Sequence, residues 1–163
     1  MIERDVPNNP WVQAFGANLR LFRKKLGLNQ TDFAKKLGIK QNSMSKMEKG
    51  IYAPTLWHIY RVASRLKISP AILFGRAEGK PLPSSYGAFR RRFSKRLKAA
   101  RLERDWSQTR IAEAINTHQP TYSDIEAAVV VRGNEAKLSS PDIETIRHIA
   151  GALRIDGLSL FLD

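Results

Sequence analysis

The sequence predicts an all-α protein that consists of two successive copies of one five-helix unit. Apolar residues recur every three or four positions, as on the buried face of a helix, whereas the alternation typical of strands is nearly absent. The two halves of the chain repeat each other, and a segment rich in Gly, Pro and Ser separates them. A length of 163 residues suits two small domains of this kind.

The internal repeat keeps apolar and polar positions in register. A shift of 78 residues pairs Phe15 with Phe93, Leu19 with Leu97, Arg23 with Arg101, Gln30 with Gln108, Gln41 with Gln119 and Glu48 with Glu126. After an insertion of nine residues, a shift of 87 pairs Pro54 with Pro141, Ile59 with Ile146 and Phe74 with Phe161. We therefore expect an N-terminal domain over residues 1–74, a linker over 75–87 and a C-terminal domain over 88–163, with the insertion near 129–140.

The first copy indicates where its helices begin and end. The first helix has one apolar face, formed by Trp11, Phe15, Leu19, Phe22 and Leu26. Gly27 ends this helix, because glycine accepts the left-handed conformation found after helix ends. The other helices are expected from residue 29 or 30 to Gly38, from about 41 to 49, from Pro54 and Thr55 onward and, briefly, from Ser69 and Pro70 onward.

The charge of the chain favours a polyanionic partner. The net charge is +13, and it is uneven: residues 1–80 carry 15 basic and 5 acidic side chains, whereas residues 81–163 carry 13 and 10. Nucleic acid and an anionic membrane surface are the two candidates. No signal-peptide pattern and no apolar run of 18 residues is present, and every amphipathic helix has a core to cover. These features favour nucleic acid as the partner and a cytoplasmic location.

The composition argues against an enzyme and against a metal or cofactor. Cysteine is absent, and the three histidines lie far apart without ligand spacing. The sequence has no glycine loop of the kind that cradles phosphate and no carboxylate pair in a catalytic pattern. It also offers no recognisable domain for a small-molecule ligand.

Residues 27–50 meet the requirements of a helix-turn-helix, which are a short helix, a tight turn and a second helix of about ten residues. The Gly-Leu-Asn-Gln opening, Phe-Ala in the next helix, Gly-Ile at the turn, the closing Glu-Lys-Gly and Pro54 resemble the Cro and lambda-repressor family, also called the XRE family. The resemblance covers about residues 11–74. Residues 89–161 show it more weakly, with Asn116 and Thr117 at the turn and Ala128 in place of the closing glycine.

This resemblance implies two tandem lambda-repressor-like domains that bind double-stranded DNA. It assigns a phosphate contact to Gln30, base reading to Gln41 and Asn42, and backbone contacts to the flanking lysines. The implied DNA-binding residues of the first copy are Gln30, Thr31, Lys40, Gln41, Asn42, Ser43, Lys46 and Lys49. Those of the second copy are Gln108, Thr109, His118, Gln119 and Thr121.

Two Arg–Glu pairs recur at the same spacing, namely Arg23 with Glu48 and Arg101 with Glu126. The family fold implies that each is a partly buried ion pair between the first and third helices of its domain. We expect a structural role, because removal of one partner leaves a buried charge uncompensated.

The second copy departs from the first where DNA contacts are expected. Pro120 lies in the first turn of its third helix, and Asp124 replaces Lys46. Its first helix carries a basic run, Arg90, Arg91, Arg92, Lys95, Arg96 and Lys98, which fits either contact with the DNA backbone or a solvated face. The insertion at 129–140 fits a small hairpin, a wing over DNA or a contact with another subunit.

These features predict a transcriptional regulator, most simply a repressor that occupies an operator. Two domains in one chain can read two half-sites, and a homodimer with four domains is equally consistent. Trp57 and Tyr60 fit either a subunit contact or completion of the core. The alternative function is a DNA-binding antitoxin or adaptor, whose second domain serves dimerisation or protein interaction.

Overall fold

The computed structural model describes residues 5–127 and 140–162, and over these residues the chain is helical without a β-strand. The all-α prediction is therefore confirmed. The chain divides into two compact units, Asp5–Leu82 and a second unit that begins at Pro83. We call them the N-terminal and C-terminal units. No helix in these two described stretches is both long enough and apolar enough to cross a membrane.

The N-terminal unit follows the expected helix order. After a 3₁₀ turn at Val6–Asn8 come α1 (Pro10–Lys25), α2 (Gln30–Leu37), α3 (Gln41–Glu48), α4 (Leu56–Leu66) and a 3₁₀ helix (Pro70–Phe74). Side chains cap the starts of most of them: Asn29 Oδ1 accepts from the Asp32 N–H at 2.8 Å, and Thr55 Oγ1 accepts from the His58 N–H at 3.3 Å. Gly38 ends α2 with φ +66°, a conformation that glycine adopts without steric cost.

The C-terminal unit repeats this order as α5 (Tyr86–Leu102), α6 (Gln108–Ala114), α7 (Gln119–Glu126), α8 (Ile143–Leu153) and α9 (Ser159–Leu162). The shift of 78 residues places both ends of α3 on those of α7, and the shift of 87 places both ends of α4 on those of α8. Asn116 stands where Gly38 stands and also has a positive φ, +56°. Asparagine tolerates this conformation better than most residues, so the tight turn is retained.

The start of α5 lies earlier than the sequence suggested. Tyr86, expected in the linker, is the first residue of the helix and is 1% exposed. Ser85 Oγ caps the helix by accepting from the Ala88 N–H at 3.2 Å, and the Tyr86 hydroxyl donates to Ser140 Oγ at 2.7 Å. The C-terminal unit therefore takes in the last residues of the segment 75–87.

Each unit has its own apolar core. In the N-terminal unit the fully buried side chains include Val12, Phe15, Leu19, Phe33, Leu37, Met44, Met47, Leu56, Ile59 and Val62. In the C-terminal unit they include Phe93, Leu97, Ile111, Tyr122, Ile143, Ile146, Ile149 and Leu153. The prediction for Leu26 was wrong: it lies beyond the end of α1 and is 47% exposed, and Val12 completes the buried face of that helix instead.

Candidate nucleic-acid interface

Helices α2 and α3 and the short turn between them form the helix-turn-helix of the N-terminal unit. On the inner side of α3, Met44 and Met47 are fully buried and fix the helix against the core. On its outer side Gln41, Asn42 and Lys46 are exposed. A helix whose polar side chains project from a packed frame has the form required to enter a DNA groove.

The structure places the other N-terminal candidates around this outer side. Lys40 directly precedes α3, Lys49 directly follows it, and Thr31 lies in the first turn of α2; all three are exposed. Ser43 and Gln30 are half-buried. Exposed lysines at both ends of α3 are suited to phosphate contacts, which orient a domain on DNA without reading its sequence.

The starts of α3 and α7 differ from those of the other helices. Among the described α-helices of seven residues or more, the other six have a side chain that caps the first turn. The residues before α3 and α7 are Lys40 and His118, and neither makes such a bond. The first backbone N–H groups of these two helices are therefore not satisfied by a capping side chain.

An ion pair in the N-terminal unit joins α1, α2 and α3. Arg23 donates to the two Glu48 carboxylate oxygens at 2.7 and 3.1 Å and to the Leu28 carbonyl at 3.1 Å. The hydrogen bond with Glu48 raises the pKa of Arg23. Gln30 Nε2 donates to Glu48 Oε2 at 3.0 Å, so the first residue of α2 is held against the end of α3. The network fixes the angle at which α3 projects.

The C-terminal unit repeats this network and extends it by one bond. Arg101 donates to both Glu126 oxygens at 2.7 Å, Gln108 Nε2 donates to Glu126 Oε1 at 3.2 Å, and Gln119 Nε2 donates to Gln108 Oε1 at 2.8 Å. Burial acts to raise the pKa of Glu126, but hydrogen bonding, foremost from Arg101, outweighs it and holds that pKa below its ordinary value. Gln119, the first residue of α7, is thereby fixed in one orientation.

The electrostatics of the two helix-turn-helix segments are opposite. Residues 28–49 carry five basic and two acidic side chains, whereas the matching residues 106–127 carry one basic and three acidic side chains. Thr109, His118 and Thr121 are exposed, but so are Pro120 and Asp124 at the positions of Asn42 and Lys46. The C-terminal segment therefore has a much weaker attraction for phosphate.

The basic run on α5 is not one surface, and for Arg90 both sequence-based interpretations were wrong. Arg90 is 1% exposed and donates to the carbonyls of Asp124, Ile125 and Ala127 at 3.3, 2.5 and 3.4 Å. It also donates to Ser94 Oγ. Arg91, Lys95 and Lys98 are exposed, and Arg92 and Arg96 are half-buried. Tyr86, Arg90 and Phe93 are spaced by four and three residues, which places Arg90 on the apolar face of the helix. This spacing was the sequence feature that indicated its burial.

The structure describes the surroundings of Trp57 and Tyr60 but not most of the insertion. Trp57 and Tyr60 are both half-buried, and the guanidinium of Arg61 lies 5.8 Å from the centre of the Trp57 ring. Most of the insertion at 129–140 lies outside the described residues, so its predicted hairpin, wing or subunit contact stays a prediction. In the described stretches, no group of three or more His, Cys, Asp or Glu residues could hold a metal ion.

The fold and the projecting helix define a helix-turn-helix protein. A family model described as helix-turn-helix matches residues 19–73 and 97–132, which together exceed half of the chain. The chain belongs to this family, the Cro/C1-type or XRE-type helix-turn-helix proteins, whose domains are DNA-binding regulators and not enzymes. Comparisons with curated proteins and with solved structures found no match.

Proposed function

We propose that the protein is a sequence-specific repressor that occupies an operator by placing α3 in the major groove. The observation that carries the proposal is the exposure of Gln41 and Asn42 at the start of a helix that the Arg23–Glu48–Gln30 network holds in place. Glutamine and asparagine amides can pair bidentately with adenine in that groove. Acting on an operator would place the protein in the cytoplasm, at the nucleoid.

The expected contacts separate into two kinds. Gln41, Asn42 and Ser43 face base edges, whereas Lys40, Lys46 and Lys49 neutralise backbone phosphates. Thr31 and Gln30 add backbone contacts at the start of α2. This division makes specificity and overall affinity separately testable.

Selection of bound sequences from random duplex DNA would first identify the operator. Gln41→Ala combined with Asn42→Ala should then weaken operator binding by about 1–3 kcal/mol per bidentate contact and leave random-duplex affinity nearly unchanged. Arg65→Ala, an exposed change on α4, is the matched control. An unchanged ratio of operator to random affinity would refute base reading by this pair.

The repressor role itself is tested by transcription. A promoter overlapping the selected operator should be silenced by the wild-type chain and released by the double variant. Activation, or silencing that survives the double variant, contradicts the proposal. The spacing of the selected half-sites and the mass of the complex in solution would show whether one chain or a homodimer occupies the operator.

A second candidate concerns the C-terminal unit, which would serve dimerisation or protein interaction, as in an antitoxin or adaptor. Its reversed charge, Pro120 and Asp124 favour this role. In the full-length chain, Gln119→Ala combined with Thr121→Ala should then leave operator affinity unchanged and alter self-association or partner binding. Loss of one selected half-site would instead show that α7 reads DNA.

A further inference from the structure

A groove of about 370 Å³ lies on the C-terminal unit, between the second half of α5 and the segment that contains α9. Its walls include Arg96 and Ala100 of α5, Glu103 directly after that helix, and Ile155, Ser159 and Leu160 of the later segment. Small-molecule sites commonly have volumes of about 300–1,000 Å³, so the groove is large enough for a small ligand. Its lining residues lie outside α7, and the functions proposed above make no use of them.

Two wall residues of the groove are smaller than their counterparts in the N-terminal unit. Ala100 is matched by Phe22 and Ser159 by Ile72, both of which are half-buried. The other apolar residues that α9 and the loop before it contribute are of the same type in both copies, and in both units the first helix packs against the last short helix. The groove therefore corresponds to space that a phenylalanine and an isoleucine side chain can take in the other copy, and its size suits one aromatic ring.

One end of the groove offers hydrogen-bond donors. Arg96 is half-buried, and its Nη1 donates to the Ser159 carbonyl at 3.2 Å, which holds the guanidinium beside α9. A guanidinium has five N–H donors, and within the described part of the chain the others of Arg96 have no partner. These donors form a planar fork, which is the geometry that binds a carboxylate through two hydrogen bonds. This end of the groove therefore favours an anionic group.

The other end of the groove disfavours a second negative charge. Glu103 follows Arg96 by two helical turns, about 10 Å along the helix axis, and it is exposed. Among the described residues its carboxylate has no ion-pair or side-chain hydrogen-bond partner, so no protein cation compensates its charge. A second carboxylate on a bound ligand would be repelled here. The groove thus suits a ligand with one carboxylate, at the Arg96 end, and a neutral or cationic far end.

We propose that this groove binds a small aromatic monocarboxylate, with the ring against Ala100 and the carboxylate on Arg96. The apolar walls remove the ring from water, and the two hydrogen bonds from the guanidinium fix its orientation. The C-terminal unit is thereby a ligand-binding copy of the fold, in which α7 has Asp124 where α3 has Lys46 and α5 carries a ligand site. This inference goes beyond the proposed function and does not depend on operator binding by α3.

The first test adds 3-phenylpropionate, acetate or phenethylamine to the full-length chain without DNA. 3-Phenylpropionate should shift the NMR signals of the Ile155 and Leu160 methyl groups and of the Arg96 Nε–H to saturation. Acetate lacks the ring and phenethylamine lacks the carboxylate, so each should bind at least about tenfold more weakly. Absence of saturable shifts with 3-phenylpropionate, or equal binding of either other probe, overturns the proposal.

The second test compares three variants of the full-length chain. Ala100→Phe should abolish binding of 3-phenylpropionate by filling the groove, and the matched Phe22 indicates that the fold accepts this residue. Arg96→Gln should weaken binding about tenfold, whereas Arg91→Gln, which removes an exposed charge outside the groove, should leave it unchanged. The ligand should slow hydrogen exchange in α5 and α9 of the wild-type chain, because it binds the folded unit. Wild-type affinity in a folded Ala100→Phe chain, or equal affinities of the two arginine variants, overturns the proposal.

Discussion

The third helices of the two units, α3 and α7, end in different ways. After α3 the chain turns through Gly50 at φ +68°, and the N–H groups of Gly50 and Ile51 donate to the carbonyls of Met47 and Lys46 at 3.0 and 3.1 Å. After α7 the chain continues extended at Ala127, with φ −77° and ψ 129°. The two matched carbonyls, of Asp124 and Ile125, accept from the guanidinium of Arg90 instead.

The helices that pack against these two ends, α1 and α5, differ in a corresponding way. Gly16 in α1 lets the backbone of α3 approach so closely that a Cβ at this position would lie 2.2 Å from the Met47 oxygen. The matched residue in α5 is Ser94, whose hydroxyl accepts from Arg90, and Arg90 itself stands where Val12 is fully buried in α1. The carbonyls at the end of the third helix therefore accept from backbone N–H groups in the N-terminal unit and from an arginine side chain in the C-terminal unit.

Removal of the Arg90 side chain should have the largest effect on stability. Arg90→Leu should leave three carbonyls at the end of α7 without their donor and destabilise the C-terminal unit by roughly 4 kcal/mol. Hydrogen exchange should speed up in α5 and α7 and stay unchanged in α1 and α3. Arg91→Leu, an exposed change at the next residue, is the control; equal effects of both variants would show that Arg90 does not hold α7.

The second effect concerns the glycine contact. Gly16→Ala should force α1 and α3 apart, because the clash is with backbone and no rotamer change relieves it, at a cost of about 3 kcal/mol. Ser94→Gly should cost only about 1 kcal/mol, chiefly through one lost hydrogen bond. Urea denaturation of both variants measures the difference. If the alanine is tolerated as well as the glycine, the close approach does not contribute to packing.

The third effect is the pH dependence of stability that His58 gives to the N-terminal unit. Burial lowers the pKa of His58 to about 4, and its Nδ1 accepts from the Thr55 N–H at 3.3 Å. In the unfolded chain the His58 imidazole therefore binds a proton below about pH 6.5, whereas in the folded unit it does so only below about pH 4. Stability is lost as the pH falls through that window, by about 2 kcal/mol between pH 7 and pH 4.5.

Thr145 occupies the matched position in α8, where Asp142 Oδ1 accepts from its N–H at 2.9 Å, so the C-terminal unit has no histidine at this site. His58→Gln should remove the acid loss from the N-terminal unit, as thermal unfolding across this pH range would show. A loss that persists in His58→Gln assigns the dependence to another group.

The smallest expected effect concerns the difference in charge between the two helix-turn-helix segments. Lys40→Ala should weaken binding to every duplex and reduce the salt slope by about 0.9, because one phosphate contact is lost. His118→Ala, at the matched position of α7, should change neither quantity. Filter binding at several salt concentrations measures both, and a larger effect at His118 would reverse the assignment of the two surfaces.

Much of this arrangement was predictable from the sequence because it depends on local signals. Caps such as Asn29 and Thr55 and the turn glycine Gly38 mark helix ends, and the repeat with its Arg–Glu pairs indicates which helices meet. The burial of Arg90 was not predicted, although its spacing indicated the core side, because charge suggested a surface. The roles of Gly16 and Ser94 depend on distances between helices, which no periodicity reveals.

The bond from Gln119 to Gln108 restricts the motion of Gln119 relative to the matched Gln41. Gln119 has already given up rotamer freedom in the folded unit, whereas the Gln41 side chain is exposed and makes no hydrogen bond within the described part of the chain. Immobilising such a side chain on binding costs about 0.5–1.5 kcal/mol in entropy. A base contact of Gln41 in the proposed function therefore has to offset this ordering cost, whereas Gln119 has already met it within the folded unit.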